Sequence, residues 1–291
     1  MINGRNQKNS YFQGWYFKNQ GAMDIISFIP AYHLNEHGMP LASLQVITPK
    51  ESHQIFYPYE EFRASKQKLA IQIGENLFTS KGIRLNILTD KLTVTGKLKY
   101  LALTPPKHDI MGPFRYLPWM PCQHNIYSLA HGIEGELMIN GKRIAFHHGQ
   151  GYIEGDQGNS FPSDYLWTQC TWKDEDYNSL MLSVADLQLG SIEFTGCIGI
   201  VYYKWREYRF ATYLGVKIKR ISPDELWVQQ GKYELRVKIL DKAENSLLAP
   251  VKGSMVRKVY ESVNSKIQYR FTIDGKVMFD FIGKGCFERG L

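Results

Sequence analysis

Apolar and polar residues alternate with a period of two along most of the chain. In LTVTGKLKY, Leu92, Val94, Leu98 and Tyr100 occupy one parity, and Thr93, Thr95, Lys97 and Lys99 the other. Successive side chains of a strand point to opposite faces, so this pattern predicts a strand with one buried and one wet face. Similar runs recur at LASLQVIT, SLMLSVA, GCIGIVYY, YELRVKIL and KIQYRFTI. Asn140-Gly141 in LMINGKRIAF and Asp274-Gly275 in FTIDGKVMF predict two-residue type I′ hairpins. No long 3.6-residue stripe predicts a helix, and Ser222, Pro223, Asp224 and Glu225 carry the chemistry to cap a single turn.

Many short antiparallel strands predict a mostly-β protein, either a sandwich or up-and-down barrels, because those architectures limit exposed sheet edges. At 291 residues, two barrels or half-barrels packed together are expected rather than one. The stretch TPPKHDIMGPFRYLPWMPCQHN, from Thr104 to Asn125, breaks the strand rhythm with prolines and aromatics. A long irregular segment of this kind is usually functional or interfacial, and its aromatics argue against disorder. The domain change is expected after it, between Gly155 and Asp164, dividing the chain into residues 1–160 and 161–291.

The four cysteines, Cys122, Cys170, Cys197 and Cys286, lack C-x-x-C spacing and predict free thiols in a reducing compartment. None of the eight histidines has the helical spacing of a metal motif, and His147 and His148 on a strand would point to opposite faces. No metal or cofactor is therefore expected. The net charge of +7 is spread thinly, as in KIKR and RVKILDK, which predicts solvated strand faces rather than a nucleic-acid site. Peripheral contact with an anionic membrane surface remains compatible with that charge. The start of the chain lacks an apolar signal region and no run of about eighteen apolar residues occurs, so a cytoplasmic protein is expected.

Three segments mix large aromatics with polar groups where a simple strand would carry aliphatics: FQGWYFK, PFRYLPWMPCQHN and GYIEGDQGNSFPSDYLWTQCTW. That mixture suits the lining of an apolar ligand pocket. It suits equally a plain core in which Trp15, Trp119, Trp167 and Trp172 only pack.

FQGWYFK, then GPFRYLPWMPCQHNIYSLAHGIEGELMINGKRIAFHHGQGYIEGDQGNSFPSDYLWTQC, then YRFATYLGVKI and the closing ESVNSKIQYRF and FIGKGCFERG together resemble the tocopherol cyclase family. The resemblance is strongest in the G-Y-x-E-x-D-x-G-x-x-F-P core and runs in order along nearly the whole chain. It implies two lipocalin-like β-barrel domains, as in the carotenoid hydratase and hydroxyneurosporene synthase relatives. It also implies cofactor-free protonation of an isoprenoid double bond, followed by capture of the cation by a phenol or by water. Gln157 stands where the family usually has tryptophan, which removes an indole able to stabilise a cation and bears on the prenylquinol substrate.

Protonating an unactivated alkene needs a carboxylic acid kept neutral in a dry setting. Glu154 and Asp156, two apart, share one face of a strand. Asp156 is the preferred acid, with Glu154 as the partner that orients it or takes the proton back. The same pair can be read as caps of a glycine turn, paired with Arg115 or Lys18. Asp164 reads as a turn or cap residue, and Glu288 as part of the closing motif of the second barrel. Trp15, Tyr16, Trp167 and Trp172 are candidate walls, and His124 and Gln169 candidate ligands for a phenolic or quinone oxygen. A carrier that binds an isoprenoid or other lipid without changing it would need the same pocket but no acid.

Overall fold

A computed structural model of the chain describes residues 10–117, 120–189, 192–241 and 245–290. It divides into two compact units. The first takes in the chain through Lys107, Pro121–Phe161 and Leu248–Arg257; the second takes in His108–Met120, Pro162–Leu247 and Lys258–Leu291. Each unit is thus assembled from three stretches, where the sequence pattern places a single division after residue 160.

Among the described residues, the first sheet has twelve strands: β1 (Tyr11–Gln20), β2 (Ile25–Leu34), β3 (Pro40–Ile47), β4 (Ser52–Tyr57), β5 (Phe62–Ala64), β6 (Ala70–Ile73), β7 (Asn76–Thr79), β8 (Gly82–Leu88), β9 (Thr93–Tyr100), β10 (Cys122–Ile139), β11 (Lys142–Ala145) and β12 (Gly149–Gly158). They pair antiparallel in the order β4-β3-β2-β1-β12-β10-β9-β8-β7-β6-β5, with β11 on β10. Strands from opposite ends of this order meet again, β3 against β6, so the sheet curls around one face. Phe17, Phe28, Leu44, Phe78, Val94 and Leu98 fill the inside of the curl. Lys97 and Lys99 point outward from the same strand that supplies Val94 and Leu98, as the alternation predicts.

The second sheet has ten strands among the described residues: β13 (Tyr165–Lys173), β14 (Tyr177–Leu189), β15 (Ile192–Tyr203), β16 (Arg206–Ala211), β17 (Lys217–Ser222), β18 (Glu225–Gln230), β19 (Tyr233–Ile239), β20 (Asn245–Val251), β21 (Ser254–Ile273) and β22 (Lys276–Gly290). Their order is β16-β15-β14-β13-β22-β21-β19-β18-β17, with β20 on β21. Here β16 meets β18 and the curl encloses Leu180, Val201, Phe210, Leu235, Tyr269 and Phe271. Both sheets are wound alike. A four-strand meander comes first, and its opening strand, β1 or β13, pairs with the last strand of the sheet, β12 or β22.

Both anticipated type I′ turns are present, with φ of 48° and 78° at Asn140 and Gly141 and 50° and 75° at Asp274 and Gly275. Two local expectations are corrected. Ser222–Glu225 closes the β17–β18 hairpin instead of capping a helical turn, because the strands on either side pair across it. His147 and His148 lie in the turn before β12, not on a strand. The positive φ of His148 (55°) ends the alternation there, and both rings reach the Glu134 carboxylate, at 3.1 and 3.3 Å.

The irregular stretch from Thr104 carries a short 3-10 helix, Gly112–Tyr116, and becomes strand at Cys122. Within the second unit it is held by Arg209, whose guanidinium donates to the His108 carbonyl at 2.9 Å. Trp119 lies outside the described residues. Among the described residues, no helix is long and apolar enough to cross a membrane.

Candidate active site

GQGYIEGDQG is strand throughout as β12, and it lies in the middle of the first sheet between β1 and β10. The two-residue period puts Tyr152, Glu154 and Asp156 on one face, while Ile153 joins the core on the other. From β1, Tyr16 stands opposite Glu154 and Gly14 opposite Asp156; from β10, His124 stands opposite Asp156 and Ile126 opposite Glu154. Gly155 separates the two acids for a steric reason. A Cβ there would sit 2.7 Å from the Gly14 carbonyl oxygen, a backbone atom that cannot swing away.

His124 bridges the carboxylates. Its Nδ1 is 2.9 Å from Asp156 Oδ1 in a hydrogen bond, and its Nε2 is 3.1 Å from Glu154 Oε2 in an ion pair off the line of a hydrogen bond. The Tyr152 hydroxyl donates to the same Glu154 Oε2 at 2.5 Å, and the Cys122 thiol donates to Asp156 Oδ1 at 3.5 Å. His124 and Glu154 are buried, whereas the Asp156 side chain keeps 24% of its exposure. Burial pulls the His124 pKa down, but the charges of Asp156 and then Glu154 outweigh it and hold it well above the ordinary imidazole value. That shift favours the imidazolium form of the ring.

This arrangement corrects the turn-cap reading. Among the described residues no backbone N–H bonds to either carboxylate, and Arg115 pairs with Asp109 instead. A metal could draw one ligand atom each from His124, Glu154 and Asp156, which lie within 4.8 Å of one another. The two ring nitrogens, however, face different carboxylates, and one ion can bind only one of them. Binding would also require the imidazolium to lose its proton. As the side chains stand, the cluster is organised around a proton.

The other candidates divide by strand parity. Tyr16 shares the face of Glu154, and its hydroxyl accepts a hydrogen bond from Ser27 Oγ at 2.9 Å. Trp15 points the other way, into the first core, stacked on Phe62 at 6.3 Å. Gln157 also belongs to that opposite parity, where it bonds Gln123 and Tyr11 rather than adjoining the acids. In the second unit, Trp167 and Gln169 are both buried on the face of β13 turned away from that unit's core. Trp172 packs on the core side, against Tyr203, Phe279 and Phe281. Glu288 accepts a hydrogen bond from Tyr165 across β13 and β22.

The structure therefore brings together Tyr16, His124, Glu154 and Asp156, and adds Tyr152 and Cys122. Tyr152 had a legible signal, since G-Y-x-E-x-D puts tyrosine on the parity of both acids. Cys122 had none, because nothing in PCQHN marks where β10 begins.

The fold has solved counterparts. An AttH protein from Nitrosomonas europaea matches with a TM-score of 0.55 at 13% identity, covering 96% of this chain and 92% of that one. Kievitone hydratase from Nectria haematococca matches with a TM-score of 0.57 at 12% identity, covering 97% and 89%. Both are two-domain lipocalin-like proteins, and this mostly-β chain has their fold. Residues 93–282 match the family described as tocopherol cyclase-like, and the chain belongs to that family. No curated protein matches the sequence.

Proposed function

We propose that the protein is a cyclase- or hydratase-type enzyme that adds an O–H across a carbon–carbon double bond of a hydrophobic substrate, an isoprenoid or a prenylated aromatic compound, without a cofactor. The observation that carries this reading is the buried His124 imidazolium held between Glu154 and Asp156, with the Tyr152 hydroxyl on the same Glu154 oxygen. Membership of the tocopherol cyclase-like family supports it, and so does a structural neighbour named as a hydratase.

Groups this close titrate as one unit. In the proposed cycle the unit gives a proton to one alkene carbon, the other carbon becomes cationic, and the oxygen of a phenol or water attacks it. That oxygen then returns its proton to the unit, so no proton is consumed. The sequence favours Asp156 as the donor. Burial favours Glu154, 3.1 Å from the His124 ring nitrogen, as the point where the ring's proton is passed on to an apolar substrate, because water is kept from it there. Asp156, hydrogen-bonded to His124, then sets the ring's orientation.

The test is turnover of prenylated hydroquinones and phenols in D2O, read by mass spectrometry. One deuterium on a product carbon is expected. Glu154→Gln is expected to remove about 10²- to 10⁴-fold of the rate per folded molecule, the usual share of general acid catalysis. Ligand recovered unaltered and free of deuterium from folded wild-type protein would replace the enzyme with a carrier.

A further inference from the structure

The outward parity of β19, β21 and β22 lies back to back with the second unit's core residues Val237, Ile267 and Phe271. On it, Lys238 stands opposite Gln268, and Lys266 stands directly opposite Lys284. All three lysines are exposed. None has an ion-pair partner among the described residues. Glu225 is taken by Arg220 and Arg236, Asp280 by Arg270 and Gln268, and Asp241 accepts the backbone N–H of Lys266. Like charges directly opposite destabilise a sheet. In the first sheet Lys97 also stands opposite Arg84, but there each outward lysine has an acid on its other side, Glu136 across from Lys97 and Glu134 across from Lys99.

Two exposed aliphatics flank these lysines. Ile282 is 55% exposed and shares the face two residues from Lys284; Leu240 is 42% exposed, and its N–H donates to the Lys266 carbonyl. We propose that this face docks the protein on an anionic lipid bilayer, with Lys238, Lys266 and Lys284 over the headgroups and Leu240 and Ile282 entering the interface. Unpaired lysines beside exposed aliphatics fit a surface that offers both negative charge and hydrocarbon. A nucleic-acid duplex would leave the exposed aliphatics unused, and a single strand would call for free aromatic stacking platforms. The face's indole, Trp227, instead lies under the Arg236 guanidinium at 5.4 Å. The inference rests on register and charge and stands apart from the reaction proposed above.

The experiment is co-sedimentation of the full chain, without substrate, with vesicles of phosphatidylcholine alone or mixed with phosphatidylglycerol. Binding is expected only to the mixed vesicles, and it is expected to weaken as salt is raised. Each lysine near such a surface contributes roughly fivefold in partitioning, so Lys238→Gln, Lys266→Gln and Lys284→Gln together are expected to weaken binding roughly a hundredfold. Lys97→Gln with Lys99→Gln is expected to leave it unchanged, and circular dichroism checks that each variant is folded. Failure of the wild type to bind mixed vesicles at low salt overturns the inference. So does binding that survives the triple substitution, or a preference of the same three lysines for nucleic acid over vesicles.

Discussion

Tyr152 and Glu154 stand two residues apart on one face of β12, and the tyrosine hydroxyl and the His124 imidazolium meet the same carboxylate oxygen, at 2.5 and 3.1 Å. Tyr152→Phe keeps the buried ring and removes one hydrogen bond to a charged acceptor. The expected cost is about 1.5–3 kcal/mol of stability, measured by urea unfolding. If the hydroxyl tunes proton delivery, turnover falls as well. A double-mutant cycle with Glu154→Gln is then expected to be strongly non-additive, because both changes act on one oxygen.

Histidines in the first unit are expected to respond to pH in opposite senses. His124 has its pKa raised by its carboxylates, so its contribution to stability is complete below the unfolded value near 6.5 and is lost as pH rises through the higher folded value. Burial pushes His33 down to about 4 and His131 down to about 3. Those two stay neutral in the fold while the unfolded chain takes up protons below about pH 6.5. Each therefore removes about 1.4 kcal/mol per pH unit as pH falls from there toward its folded value. Ring NMR signals are expected to show His124 as imidazolium at neutral pH and His33 and His131 as neutral at about pH 5. The acid-side slope in urea unfolding is expected to flatten in His131→Gln.

Strand identity was legible in LTVTGKLKY because one parity is core and the other solvent. In β1 and β13 almost every residue is buried, with burial on both parities. Alternation then vanishes from the sequence, and nothing in it tells which way a given side chain points. This is why the acids' shared face could be inferred from spacing alone, while Trp15, Trp172 and Gln157 could not be placed relative to them. Trp15 and Trp172 pack into the two cores, and Gln157 turns to the parity opposite Glu154. The turn at Ser222 departs from its sequence chemistry for a different reason. Ser-Pro-Asp-Glu carries cap chemistry, but pairing of β17 with β18 decides its conformation.

The placement of Gln157 has a consequence for the family's usual tryptophan. Gln157 accepts a hydrogen bond from the Tyr11 hydroxyl at 3.4 Å and donates to Gln123 Oε1 at 3.2 Å, away from the acids. Gln157→Ala is expected to cost about 1 kcal/mol from these amide bonds and to change turnover less than about threefold. A loss as large as that of Glu154→Gln would show that substrate reaches the parity of Trp15 and Tyr11.

Gly14 and Gly155 face each other's strands beside the acids, yet a methyl group is expected to be tolerated at only one of them. A Cβ on Gly14 would meet Ala31 Cβ at 3.5 Å and an Ile29 methyl at 3.6 Å, ordinary contacts. On Gly155 it would meet the Gly14 carbonyl oxygen at 2.7 Å, Tyr127 at 3.2 Å and Trp15 at 3.3 Å. The first of these is backbone, so β1 and β12 must part at the point where Tyr16 faces Glu154. Gly155→Ala is expected to cost about 1–3 kcal/mol, the usual penalty of overpacking. It should also lower turnover, because a small displacement of Glu154 and Asp156 relative to His124 breaks the alignment that proton transfer needs. Gly14→Ala is expected to stay within about 0.5 kcal/mol of wild type. Urea unfolding of both variants and turnover of Gly155→Ala test the pair, and equal stability losses would mean that backbone contact at Gly155 does not position the acids.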